Sequence, residues 1–178
     1  MNADVLNSFS GRTKAGHEVS LRILGSEDIP AMQKLFKTFS PETIFHRFQE
    51  PIPVMTDERA RRCTGCTSEG SFAVASYYRD GPGREVLTGI ARIGVIGNGE
   101  AEFAIVVGDP WQGQGIGRVL VRAIAGLAAA NGIEWLESTF DMDNRRYLDF
   151  CESVGLKGTL TWEHGQFRLR SKVSDIKR

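Results

Sequence analysis

Apolar positions follow two rhythms along this chain, one helical over roughly its first third and one strand-like from Ser71 onward. Ile29, Met32, Leu35, Phe36 and Phe39 recur at helical spacing after Ser26, a good N-cap, and Glu27 and Asp28 suit the positive helix end. SPETIFHRF, Ser40 to Phe48, restarts a helix with Ser40 as cap and Pro41 at the first helical position, where a missing N–H costs nothing. Pro51-Ile52-Pro53 ends it. TDERARRCTG, Thr56 to Gly65, reads as a third helix capped by Thr56 or Asp57 and basic on one face. Ahead of all three, Gly11 and Gly16 turn an opening hairpin into the strand EVSLRIL, Glu18 to Leu24, and residues 1–5 read as a frayed end.

The stretches SFAVASYY, EVLTGIARIGVI and EAEFAIVV alternate or run apolar with β-branched residues, and RDGPGR and Asn98-Gly99 separate them as turns. Three antiparallel strands in a meander follow. A helix from Gly115 to Ala130 ends at Asn131-Gly132 and leads into the strand EWLESTF. A short helix from Asn144 to Ser153 stops at Gly155, and TLTWEH with FRLRSKV closes the chain as a hairpin.

At 178 residues, 41% hydrophobic and 25% charged, the composition is that of one globular domain with room for a sizeable core. Lys plus Arg equals Asp plus Glu at 22 each, so no global field points to nucleic acid or an anionic membrane surface. Any anion site must be local. No apolar run has the length of a membrane span or a signal peptide, and the expectation is a cytoplasmic protein with reduced cysteines.

The segment Asp109 to Leu120, DPWQGQGIGRVL, puts three glycines in five residues at the start of a helix. A P-loop would need Lys-Ser/Thr where Arg118-Val119 stand, and a dinucleotide fingerprint from Gly113 would need Gly or Ala at Arg118. A bare turn is the plain alternative. Against it stands Arg118, a cation at the positive end of a helix, which is unfavourable unless an anion sits there. Exposed N–H groups beside an arginine make a pyrophosphate cradle.

Gln112-Gly113-Gln114-Gly115-Ile116-Gly117 matches the Q/R-x-x-G-x-G/A motif of the GNAT acetyltransferase superfamily, and the sequence resembles that family over nearly its whole length. Asn144, Tyr147, Phe150 and Gly155-Leu156 resemble a second family region downstream. SPETIFHRF with the basic helix, and AEFAIVVGD before the glycines, resemble the bacterial protein-lysine acetyltransferase group, here as the catalytic module alone.

The resemblance implies a single α/β domain over residues 1–178 with the GNAT fold: a mixed, mostly antiparallel twisted sheet, flanking helices and a splayed pair of parallel strands at the cofactor site. It implies acetyl-CoA as donor and coenzyme A as product, bound by the backbone of Ile105, Val106 and Val107, by the loop from Gln112 through Gly113, Gln114, Gly115, Ile116 and Gly117 to Arg118, and by Asn144. The acceptor is a primary amine, a protein lysine first and a small-molecule amine second. A lysine held neutral at pH 7 costs about 4.6 kcal/mol, so a base is worth having. Glu102, isolated on an apolar strand, is the candidate, with Glu100 on the same alternation in reserve; a solvent-facing glutamate is the plain alternative. Many family members carry this base one position earlier, here Ala101, and many carry a tyrosine acid at the place of Cys151, where no dedicated acid is expected.

The remaining residues read plainly. Cys63 and Cys66 have C-x-x-C spacing but no second pair, and His17, His46 and His164 lie in unrelated segments, so no metal is expected. Arg59, Arg61 and Arg62 are a solvated helix face or a patch for an acidic protein acceptor. A different class of function, a non-catalytic acyl-CoA sensor, would need the cradle but no base. Oligomeric state is not legible.

Overall fold

The computed structural model describes residues 11–14, 16–65, 70–79 and 85–176. Within them one sheet holds eight strands: β1 (Gly11–Arg12), β2 (Glu18–Ile23), β3 (Phe72–Arg79), β4 (Glu85–Gly97), β5 (Glu100–Val107), β6 (Trp135–Phe140), β7 (Gly158–Glu163) and β8 (Gln166–Lys172). Their spatial order is β1-β2-β3-β4-β5-β6-β8-β7. Every neighbouring pair is antiparallel except β5 and β6, which are parallel. The opening hairpin, the meander and the closing hairpin stand where the alternation puts them. Asn98 and Gly99 both take the left-handed backbone that a two-residue hairpin turn requires, with φ of 52° and 74°. The RDGPGR turn from Asp80 to Arg84, the frayed end and Cys66 lie outside the described residues.

Among the described residues five α-helices accompany the sheet: α1 (Ile29–Phe36), α2 (Pro41–Phe48), α3 (Asp57–Cys63), α4 (Ile116–Ala130) and α5 (Arg145–Val154). The Ser40 hydroxyl accepts from the Thr43 amide at 3.2 Å and the Thr56 hydroxyl from the Arg59 amide at 3.3 Å, so both expected caps form. Ser26 does not cap α1. It opens a 3₁₀ turn, Ser26–Asp28, behind Gly25, and the side chain that closes this turn is the Asp28 carboxylate, 3.0 Å from the Gly25 amide. The same carboxylate accepts from Arg22 at 2.8 Å and from the Tyr77 hydroxyl at 3.0 Å, because a buried charge needs such partners.

Helices cover both faces of the sheet. On one face α4 and α5 bury Leu120, Ile124, Leu127 and Val154 against Phe72, Val74, Ile93 and Phe103. On the other, α1 to α3 bury Met32, Leu35 and Ala60 against Ala73, Ala75, Ile90 and Val106. Strands β3 and β4 lie between the two cores, which is why they read as continuous apolar runs rather than strict alternation. Along β5 the pleat sends Ala101, Phe103, Ile105 and Val107 toward α4, and Glu102, Ala104 and Val106 toward α1 to α3.

The parallel pairing of β5 with β6 is short. Glu100, Ala101 and Glu102 face Trp135, Leu136 and Glu137, and there it stops. Strand β6 continues alongside β8 to Phe140, leaving β5 without a neighbour on that side from Phe103 to Val107. This splay opens the site.

Candidate active site

The register of β4 on β5 fixes which backbone groups face the splay. The Gly108 amide donates to the Thr88 carbonyl at 2.8 Å, and partners along the ladder keep the same offset, Ile90 with Val106 and Arg92 with Ala104. Hydrogen-bonded and non-hydrogen-bonded pairs alternate in an antiparallel ladder, so Ala104 and Val106 turn their N–H and C=O groups to β4. Phe103, Ile105 and Val107 turn theirs into the gap. Of the three residues expected to offer backbone to a ligand, Ile105 and Val107 face the gap, the Val107 carbonyl there accepting from Gln112, while Val106 is engaged with Ile90 and its side chain is buried.

At the end of β5 the chain makes a 3₁₀ turn, Asp109–Trp111, and enters α4 through the glycines. Gly113 and Gly115 have φ of 71° and 90°, and no atom would lie within 4 Å of a Cβ at either position. Only glycine adopts this path freely, and it leaves the loop open on its ligand side. The amides of Gly113, Gln114, Gly115, Ile116 and Gly117 have no acceptor among the described residues, whereas the Arg118 amide closes onto the Gly115 carbonyl at 3.1 Å. The exposed Arg118 side chain stands beside them. Two cations not anticipated from the sequence join it at the cleft: Lys14, whose amide donates to the Gln114 carbonyl at 3.1 Å, and Arg146 of α5. A chain with zero net charge thus builds a local basic end.

Gln112 serves the loop rather than facing out of it. Its side-chain amide donates to the Val107 carbonyl, the Asp109 carboxylate and the Thr43 hydroxyl at 3.1, 3.1 and 3.3 Å, and its carbonyl accepts from Arg146 at 3.0 Å. Asp109 also accepts from the Ser40 amide at 3.0 Å and the Thr43 hydroxyl at 2.8 Å. One carboxylate therefore ties the start of α2 to the glycine loop. Asn144 caps α5 through its side-chain oxygen, 3.1 Å from the Tyr147 amide, and lines the same cleft.

The cleft has a volume of about 1160 Å³ and runs from the glycine loop past β5 to α2. Glu102 is exposed at its wall, on the β5 face that α2 covers. Ala101, one position earlier, is buried in the core under α4. Glu100, the reserve candidate, is held in an ion pair with Arg170 and is not part of the cleft wall, so it drops out as a base. It lies at the start of β5, opposite Trp135, where that strand is still paired with β6 and the splay has not begun.

Arg47 is not singled out by the sequence, and the fold gives Tyr147, Cys151 and His46 surroundings that the sequence does not show. Arg47 lines the cleft from α2, and its Nε is sealed from solvent without a hydrogen-bond partner. Burial lowers its pKa, and the neighbouring Arg92 lowers it further, against the pull of Cys63, Glu102 and Tyr147. Tyr147 lies against Ser138 and Cys151, and burial first, then the neighbouring Cys151, holds its hydroxyl well above the usual range. The Cys151 thiol is pushed up to about 12, chiefly by burial; it is fully enclosed and does not line the cleft. His46 meets Asp141 and Asp143, with side-chain atoms of all three within 4.8 Å of one another. The sequence places His46 far from both; the fold brings α2 over the end of β6.

An unpaired strand edge runs into a row of unsatisfied amides, with cations at one end and a carboxylate at the other, an arrangement suited to an extended ligand with an anionic end. An open strand edge can pair with an extended amide-bearing chain, and free amides at a helix start can hold an anion. Residues 31–156 match the model of the Acetyltransferase (GNAT) family, and the chain belongs to that family. Acetyltransferase PA5475 of Pseudomonas aeruginosa is 30% identical over 145 residues, covering 80% of this chain and 77% of its own. Among solved structures, the GNAT domain of S. lividans PAT superposes with a TM-score of 0.79 at 22% identity, over 92% of this chain and 95% of that one. Spermidine N-acetyltransferase from Vibrio cholerae, solved with CoA and spermine, gives 0.68 at 15% identity over 88% and 96%. The yncA protein of Salmonella typhimurium, solved with its cofactor acetyl-CoA, gives 0.65 at 19% identity over 87% and 94%. These structural likenesses carry the fold, including the expected mixed sheet with one parallel pair. No helix among the described residues is long and apolar enough to cross a membrane.

Proposed function

We propose that this protein transfers the acetyl group of acetyl-CoA to a primary amine, a protein lysine before other acceptors, with Glu102 as general base. The observation that carries the reading is the continuity between the open β5 edge at Ile105 and Val107 and the unsatisfied amides from Gly113 to Gly117. Bound acetyl-CoA supplies an activated carbonyl. The amides of Gly113 to Gly117 hold its pyrophosphate, with Lys14 and Arg118 as counter-charges. Backbone donors of Ile105 and Val107 orient the thioester arm, and a donor already aimed at the carbonyl oxygen stabilises the negative charge that grows there. Glu102 takes the proton from the incoming ammonium and, being exposed, passes it to solvent. Asn144 closes the wall beside the pantetheine arm. Cys151, enclosed and holding its proton, has no path to the leaving sulfur, and the Tyr147 hydroxyl is committed to Ser138 and Cys151.

The S. lividans PAT domain, which covers the chain nearly end to end, supports the protein-lysine reading. A second reading is favoured by one feature: His46, Asp141 and Asp143 make a cation-attracting rim, which suits a small polyamine like that acted on by the Vibrio cholerae neighbour. The test is acetyl transfer to lysine peptides and polyamines in parallel, in wild type and Glu102→Gln. Loss of a proton-transfer group costs about 10²–10⁴ in kcat/KM, and the acidic limb of the pH–rate profile goes with it. Equal turnover and an unchanged profile in Glu102→Gln would overturn the base assignment. Coenzyme binding with no turnover on any amine would favour a sensor.

A further inference from the structure

The wall of the cleft holds a cation that the acetyl transfer described above does not use. Arg47 projects from α2 into the cleft beside Glu102; no ion pair or hydrogen bond joins it to any described residue, and its Nε is shut off from solvent. The ring of Phe48 lies 5.1 Å from its guanidinium carbon. Around it stand Cys63 of α3, Arg92 of β4, Glu102 of β5 and Tyr147 of α5, two arginines to one carboxylate. The Arg92 Nε is likewise buried without a partner. A protein seldom leaves a guanidinium half-enclosed, next to a second one, with its forked donors empty. Such a group is expensive for the fold and fits one chemistry well: a carboxylate, taken by two parallel N–H donors.

We propose that Arg47 is the docking group for a carboxylate brought into the cleft by a substrate. The inference rests on the acyl-CoA reading of the cleft. The carboxylate has two possible carriers, an acceptor with an acid group near its amine, or a dicarboxylic acyl chain on the coenzyme. Either would place its negative charge against Arg47 at the cleft wall, with Arg92 as a further positive charge behind it. Both carriers give the same prediction for Arg47 and are separated by which substrate pair responds.

The experiment compares wild type with Arg47→Gln and Arg47→Lys on two matched pairs: free amino acids against their carboxamides as acceptors, with acetyl-CoA, and succinyl-CoA against acetyl-CoA as donors. Kinetics give KM and kcat for each, and calorimetry gives the donor dissociation constants without turnover. In wild type one pair shows at least a tenfold preference for its carboxylated member. Arg47→Gln abolishes that preference and leaves kcat on the uncharged member within about twofold, while Arg47→Lys keeps part of it. Because an unpaired buried charge is removed, Arg47→Gln melts no lower than wild type. A preference that persists in Arg47→Gln, no preference in either pair, or an equal fall in kcat on charged and uncharged members would overturn the inference. The last result would put Arg47 at the reacting carbonyl instead. Calorimetry with coenzyme A alone separates the failures: binding intact in all three proteins leaves the cleft assignment standing, and no binding in wild type removes both readings.

Discussion

Asp109 is the residue whose loss most cleanly separates scaffold from chemistry. Its carboxylate accepts from the Ser40 amide, the Thr43 hydroxyl and the Gln112 side chain, at 3.0, 2.8 and 3.1 Å, and so joins α2 to the loop that opens α4. A hydrogen bond to a charged group contributes about 1.5–3 kcal/mol net. The site is part-exposed, so water replaces some of this, and Gln112 keeps its bonds to Val107 and Thr43. The loss in Asp109→Ala is then about 3 kcal/mol rather than the sum of three, a fall in Tm of roughly 6–12 °C for a chain of this size. Asp109→Asn still offers one oxygen to Thr43 and Gln112 but sets its NH2 against the Ser40 amide or the other donors, so it sits between. Urea unfolding at pH 7 with coenzyme A calorimetry on the same samples reads both consequences: stability falls from wild type through Asp109→Asn to Asp109→Ala, and coenzyme affinity weakens because α2 is no longer tied to the glycine loop. An Asp109→Ala protein that melts within 2 °C of wild type would refute the brace.

Further expectations concern the loop and the buried thiol. Gly115→Ala introduces a side chain at φ of 90°, where nothing crowds it in the free protein; the fold loses about 1–2 kcal/mol, while coenzyme affinity falls at least tenfold by calorimetry as the methyl group enters the anion's space. Equal affinity would show that the amides hold no ligand. Cys151 has its folded-state pKa raised from 9.0 to about 12, so the stability it contributes is full below pH 9 and is lost as pH climbs toward 12. In Cys151→Ala the decline of unfolding free energy between pH 9 and pH 11 should be shallower by about 1.4 kcal/mol per pH unit, measured by urea titration at each pH. An identical slope in both proteins would mean that the thiol is not what titrates.

What a sequence can show depends on how local its cause is. Ser40 and Thr56 cap their helices, and Asn98-Gly99 turns its hairpin, because each acts on backbone within four residues. Ser26 does not cap because the Asp28 carboxylate closes that turn instead, held in place by Arg22 and by Tyr77 far along the chain. The glycine loop is legible as an anion cradle, yet the role of Gln112 inside it is not, since Thr43 and Arg146 arrive from other elements. Which β5 amides face the gap follows from the offset of β4, a property of the pair and not of EAEFAIVV. Arg47 is the extreme case. In HRF it reads as the polar side of a short helix, and only the packing of α2 over β5 reveals that this side is enclosed.

The central claim is that the loop and the open strand together hold a coenzyme A thioester. Thermal unfolding with acetyl-CoA, coenzyme A, NAD and ATP in parallel, each near 100 times the dissociation constant expected of the coenzyme, tests it directly. Saturation of that degree adds about 2.7 kcal/mol, a rise of roughly 5–10 °C. The account predicts that rise with acetyl-CoA and coenzyme A and little or none with NAD or ATP; no rise with either coenzyme, or an equal rise with all four, would contradict it.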